Sequence, residues 1–176
     1  MAYTFDDNKA GLLQIANTDA GITTANGTSA IPTPPAVLGQ IERAFDPVYG
    51  AGEFILLVGV ANTAVGSLVT YDGTTYQTTL AATTANQARP VAVAMSANGA
   101  GSFGWYQIEG TAVVTKTAAK VNPTVAIGVV STGKVGASAS GKEILGARSA
   151  NAATVASATT TVNVVINRPH LQGRIT

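Results

Sequence analysis

Residues 68–78 read Leu-Val-Thr-Tyr-Asp-Gly-Thr-Thr-Tyr-Gln-Thr. Asp-Gly is one of the few dipeptides that accept the positive φ angles of a tight type I′ turn, and here β-branched and aromatic residues flank it on both sides. The stretch predicts a β-hairpin turning at Asp72-Gly73. Working outward, the same pattern recurs. Further runs of β-forming residues occupy 91–95, 103–109, 112–116, 125–130, 135–137 and 144–147. A last one, 160–167 (Thr-Thr-Val-Asn-Val-Val-Ile-Asn), is closed by Pro169, which leaves His170 in a polar tail. Gly, Asn and Ser cluster between them, as at 96–102 and 136–141. Short strands at this spacing predict an all-β fold, a compact antiparallel β-sandwich or barrel. The runs 78–86 and 149–159 contain enough Ala to permit helix. Thr and Asn weaken it, and neither run has an apolar stripe at helical spacing, so both read as loop or irregular strand.

Upstream of this body the composition changes. Residues 1–50 are dense in Thr, Asn, Gly and Pro, with Pro32, Pro34 and Pro35 close together. Proline removes a backbone donor and fixes φ, which bars a central strand or a continuous helix there. The expectation is an extended, mostly irregular N-terminal arm over 1–50, with a turn or two of helix permitted at 37–45. Residues 51–176 then form the β body with a short C-terminal tail. An arm of this kind orders when a surface is offered to it.

Only 11% of the 176 residues are charged, against roughly 25% in ordinary soluble domains. The surface must therefore be covered largely by Thr, Ser, Asn, Ala and Gly, as suits a protein that sits against other protein. Lys9 and Arg43 face Asp6, Asp7, Asp19, Glu42 and Asp46 in the first fifty residues, a net −3. The remainder carries eight bases against Glu53, Asp72, Glu109 and Glu143, a net +4. An acidic leader on a mildly basic body can engage a neighbouring copy or a partner surface. The overall charge of +1 gives no footprint for nucleic acid. The absence of cysteine excludes a disulfide scaffold and thiolate metal sites, and it suits folding in a reducing cytoplasm. The N-terminal stretch is acidic where a secretory leader would be basic. The most apolar run, 54–61 (Phe-Ile-Leu-Leu-Val-Gly-Val-Ala), is far shorter than the roughly 20 residues of a membrane helix. No membrane partner is expected.

Several motif matches dissolve on inspection. Gly128 to Lys134 satisfies G-x-x-x-x-G-K, but position 135 is Val where Ser or Thr must hold magnesium, and no helix can start in the residues that follow. Gly99-Ala-Gly101-Ser-Phe-Gly104 matches G-x-G-x-x-G yet precedes a strand, where a dinucleotide fold needs a helix. Ser131 and Lys134 fit S-x-x-K without the companion elements of penicillin-recognising enzymes, and read as a hairpin turn. A single histidine, His170, gives no triad or metal cluster. Asp72 and Glu109 are the carboxylates of the strand region open to a paired-acid reading, but Asp72 has a turn role and Glu109 a strand-end role. Asn26-Gly-Thr28 matches the glycosylation pattern, without a secretion signal to give it meaning. The expectation is a protein that is not an enzyme and takes no cofactor or metal. Trp105 and Tyr106 are adjacent on a strand and so point to opposite faces, which either places one in the core and the other outward as an interface anchor or lets both fill core.

The order of the segments Val-Gly-Val-Ala-Asn (58–62), Gly-Ser-Leu-Val-Thr-Tyr-Asp-Gly (66–73), Arg-Pro-Val-Ala-Val-Ala-Met (89–95), 101–114 and Val-Asn-Val-Val-Ile-Asn-Arg-Pro (162–169) resembles the capsid decoration, or cement, proteins of tailed bacteriophages. The resemblance covers residues 53–169. It implies a small β domain that binds the outer surface of a phage capsid as a homotrimer, with the major capsid protein as partner. It also implies a place on the virion exterior after synthesis in the host cytoplasm. Tyr3, Phe5, Pro32, Pro34, Pro35, Trp105, Tyr106 and Arg168 are then the expected capsid or inter-protomer contacts. The competing readings are a phage head-fibre or receptor-binding module, a small β-fold glycan hydrolase and a secreted adhesin module.

Overall fold

The computed structural model describes residues 2–7, 12–21 and 33–174. Among them there is no helix, and twelve strands join in one antiparallel sheet. They are β1 (Thr4–Phe5), β2 (Thr18–Asp19), β3 (Ile41–Asp46), β4 (Gly50–Val58), β5 (Leu68–Tyr71) and β6 (Thr78–Leu80), followed by β7 (Val91–Ala94), β8 (Phe103–Thr115), β9 (Ala126–Ser131), β10 (Lys134–Ala137), β11 (Glu143–Ser149) and β12 (Thr161–Leu171). The all-β antiparallel architecture is the one the sequence predicts.

The sheet is organised by β8, thirteen residues long. Its first half pairs with β4 on one edge and with β7 on the other. Its second half pairs with β12 from Glu109 to Thr115. The two halves meet at Gly110, whose φ of +99° no L side chain adopts without strain and whose Cα faces the Ala51 carbonyl too closely to admit a Cβ. Two strand runs expected on either side of this glycine are thus one bent strand.

Each half of β8 belongs to a curled, barrel-like unit. In the first, β4, β8, β7, β5 and β6 follow one another, and β6 closes back on β4 where Val58 N–H donates to Tyr76 O at 3.0 Å and Thr78 Oγ1 donates to Val58 O at 2.7 Å. Ile55, Leu57, Val69, Ala92, Ala94, Tyr106 and Ile108 fill its interior. In the second, β8, β12, β11, β9 and β10 run in order, and Thr117 N–H closes the ring onto Val135 O at 3.1 Å. Its interior holds Val114, Ile127, Val129, Val135, Val162, Val164 and Ile166, with Leu68, Val91 and Val93 packed on from β5 and β7. Apolar side chains fill both interiors, aliphatic throughout in the second and with Tyr106 among them in the first, as expected of small barrels.

A third apolar layer lies on the other face of β4 and β8. Phe54, Leu56 and Trp105 are there covered by Tyr3, Ile15, Ala44 and Met95, with Phe5, Leu12, Leu13 and Tyr49 at the margin. Burial on both faces explains why 54–57 is continuously apolar, where a sheet with one wet face would alternate. It also shows that the described parts of residues 2–49 are packed against the body.

Three local expectations need correction. The hairpin at 68–78 forms, pairing Tyr71 with Thr78, but not through a two-residue turn at Asp72-Gly73. The Asp72 carboxylate accepts the N–H groups of Thr74 and Thr75 at 2.8 Å each, and Tyr76 N–H donates to Asp72 O, so the chain makes a wider turn whose positive φ falls on Tyr76. The helix permitted at 37–45 is instead strand β3 from Ile41 onward. Finally, Pro169 does not end the last strand. The register between β11 and β12 shifts from Ala147↔Ile166 to Leu145↔His170, so Pro169 sits in a bulge where no ladder donor is required, and β12 continues to Leu171. His170 is an exposed residue of that strand.

Candidate functional site

Strand β3 carries its side chains inside out. By the pleat, Glu42, Ala44 and Asp46 share one face, and Ile41, Arg43 and Phe45 the other. The small and acidic residues Ala44 and Asp46 face inward, 0% and 2% exposed, while Ile41 is 41% and Phe45 51% exposed. Val37 just before the strand and Val48 in the turn after it are 75% and 80% exposed. Four of the seven large apolar side chains exposed among the described residues thus lie on twelve consecutive positions, 37–48.

The inversion has a local cause. Asp46 starts the turn into β4, and its carboxylate accepts N–H groups from Val48 at 2.8 Å, Tyr49 at 3.0 Å and Ala2 at 2.6 Å. An acid with three amide donors is stable under a thin cover of neighbouring chain. Burial pushes its carboxyl up, and the amides of Val48, Ala2 and Tyr49 outweigh that and hold it below the ordinary value. Ala44 is small enough to let Phe5 and Tyr3 approach. Tyr3 packs edge-on against Phe54 with ring centroids 4.8 Å apart, and Phe5 packs edge-on against Trp105 at 5.4 Å. With the inward face so filled, the large side chains of β3 are left outside. On the outer edge of β3, β1 pairs only with Phe45 and Ala44.

The expected contact residues scatter around this hairpin without forming it. Tyr3 is buried and donates its hydroxyl to Thr111 O at 3.0 Å. Phe5 is half-buried against Trp105. Pro34 and Pro35 are half-buried just ahead of Val37, and Pro32 lies outside the described residues. Trp105 and Tyr106 do point to opposite faces, but both are fully buried, so neither is an outward anchor. Trp105 donates its indole N–H to Leu13 O at 2.6 Å in the N-terminal layer, and Tyr106 fills the first barrel. The face expected to be open is covered by Tyr3, Phe5, Leu12, Leu13 and Ile15. Arg168 is exposed and bonds Glu53 at 2.5 Å, tying β12 to β4.

The residues of the doubtful motifs take structural places. Gly128–Lys134 spans the β9–β10 hairpin, with its turn at Thr132-Gly133. The Asp72 carboxyl is held below its ordinary value by the amides of Thr75 and Thr74 and is committed to the turn. Glu109 lies on β8 opposite Glu53 and Asn167. Among the described residues no group of His, Asp and Glu is placed to hold a metal ion, and no helix is long and apolar enough to cross a membrane. Compared with protein-family models, with curated proteins and with solved structures, the chain finds no match.

Proposed function

We propose that the chain is a structural virion protein, a decoration protein that seats its β3–β4 hairpin on the outer surface of a phage capsid and acts there as cement. The observation that carries this reading is the inverted strand β3, which exposes Ile41 and Phe45 between Val37 and Val48 on a chain with few charges. Exposed apolar side chains gathered in one place mark an interaction surface more often than scattered ones do. The sequence resemblance to decoration proteins supplies the kind of partner, the major capsid protein. Assembly as a homotrimer presents three such hairpins at once, and linked copies raise the apparent affinity of a modest contact by orders of magnitude.

The N-terminal layer carries core residues, so deleting it would test folding rather than binding. A surface double variant is the better probe. Purified chain is mixed with empty shells assembled from a tailed-phage major capsid protein, and native mass spectrometry reads the copies bound. Wild-type protein is expected to decorate the shells, and Phe45→Asp with Val48→Asp to lose at least about thirtyfold in affinity, as for an interface hot spot. Undiminished binding by the variant removes the hairpin from the interface. Failure of the wild type to bind removes the decoration reading itself.

A further inference from the structure

Away from that hairpin, a cavity of about 370 Å³ opens between the end of β8, the β9–β10 turn and the loop that leads into β12. Lys116 and Lys134 line it, together with Thr117, Ser131, Thr159 and Thr160. No carboxylate takes part in the lining. Lys116 is only 4% exposed, and its ammonium is held by the carbonyl oxygens of Thr117 at 2.9 Å and Ala119 at 2.8 Å, with Ser157 O at 3.5 Å. Carbonyl dipoles satisfy its N–H groups but supply no countercharge, and a covered ammonium without an anion is electrostatically incomplete. Lys134, at the rim, is exposed and forms no ion pair among the described residues. Among the described residues the hydroxyls of Ser131, Thr159 and Thr160 make no hydrogen bond and remain available as donors.

We propose that this cavity is a binding site for a tetrahedral oxyanion of the phosphate or sulfate type, free or as an ester. Two positive point charges and several hydroxyl donors match an ion that accepts from several directions. A planar carboxylate is better met by the fork of an arginine, and none lines the site. Lys116, its N–H groups taken by backbone carbonyls, supplies field but no donor; Lys134 supplies the direct contact, and Ser131 and Thr160 the neutral donors. The volume exceeds that of a bare phosphate and leaves room for the group that an ester carries.

The test uses the full chain labelled with nitrogen-15 and titrated with inorganic phosphate, and separately with glycerol phosphate, against sodium chloride at matched ionic strength. Saturable amide shifts are expected at 116–118, 131–134 and 157–160, absent with chloride. Lys134→Ala, at an exposed position that does not threaten the fold, is expected to weaken binding about tenfold, the usual loss for a hydrogen bond to a charged group. Saturation by either phosphate form supports the site, and the form that saturates tells free ion from ester. Shifts that stay linear for both forms, or an affinity unchanged in Lys134→Ala, overturn it. Because the cavity and the β3–β4 hairpin share no residue, neither outcome bears on shell binding.

Discussion

Gly104 shows how closely backbone and side chain meet in the first barrel. A Cβ built there would lie 1.9 Å from Asn98 Nδ2 and 2.3 Å from Oδ1, and Asn98 is itself fully buried beside the Tyr106 strand. Burial pushes the Tyr106 hydroxyl up, against the opposing effect of Asn98, Thr78 and Thr63 around it. Asn98 is fully enclosed, so its amide can move aside only by displacing packed neighbours. Gly104→Ala is expected to destabilise the fold by about 2–3 kcal/mol or more, the cost of overpacking an interior with no slack. Gly99, five residues earlier, has nothing within 4 Å of its would-be Cβ. Gly99→Ala is accordingly expected to stay within about 0.5 kcal/mol of wild type, as surface changes do. Urea denaturation of both variants reads the difference, and equal effects would mean that Asn98 yields.

At the scale of elements, the N-terminal layer and the β3–β4 hairpin hold each other through Asp46. Its folded-state carboxyl lies below the ordinary value of 3.8, so it contributes stability that is fully present above that pH and is lost as pH falls through the folded value. Asp46→Asn keeps the shape but removes the charge that three amides share. At neutral pH it is expected to cost about 1–3 kcal/mol, and the gap to wild type should close as both are titrated into acid below pH 3.8. Denaturation followed by the fluorescence of Trp105, which lies under this layer, measures it. A gap that stays constant with pH would assign the effect to packing instead of charge. These same elements mark where the sequence was legible and where it was not. The body strands announced themselves through β-branched runs between glycines, because each buries at least one face in an aliphatic interior. Strand β3 did not, because Ala44 and Asp46 on its inner face have the composition of an outer one. The covering of Trp105 was hidden for a related reason. Phe5, Leu13 and Ile15 reach it through long-range contacts such as the Leu13 carbonyl, which leave no periodic trace in the chain. The exposed apolar surface was missed along with β3, although the spacing of Ile41, Arg43 and Phe45 already had the period of a strand.

For the molecule as a whole, the bent strand β8 decides how the two barrels share their stability. Its first half supplies Tyr106 and Ile108 to one interior, and its second half supplies Ala112 and Val114 to the other. Leu68, Val91 and Val93, on strands of the first barrel, pack into the second. Neither barrel can open without stripping β8 from its neighbours or exposing this shared layer, and at roughly 25 cal/mol per Å2 of apolar surface such partial opening is costly. The expected outcome is a single cooperative transition with no half-unfolded state. Trp105 reports from the first barrel's side, while far-ultraviolet circular dichroism averages over both. The two signals should therefore trace coincident urea curves with one midpoint. Placing Gly110→Val at the bend, where the added Cβ would meet the Ala51 carbonyl at 2.5 Å, should lower both midpoints together. If fluorescence and dichroism separate, in the wild type or in that variant, β8 would be a passive link and the two barrels would fold as independent units.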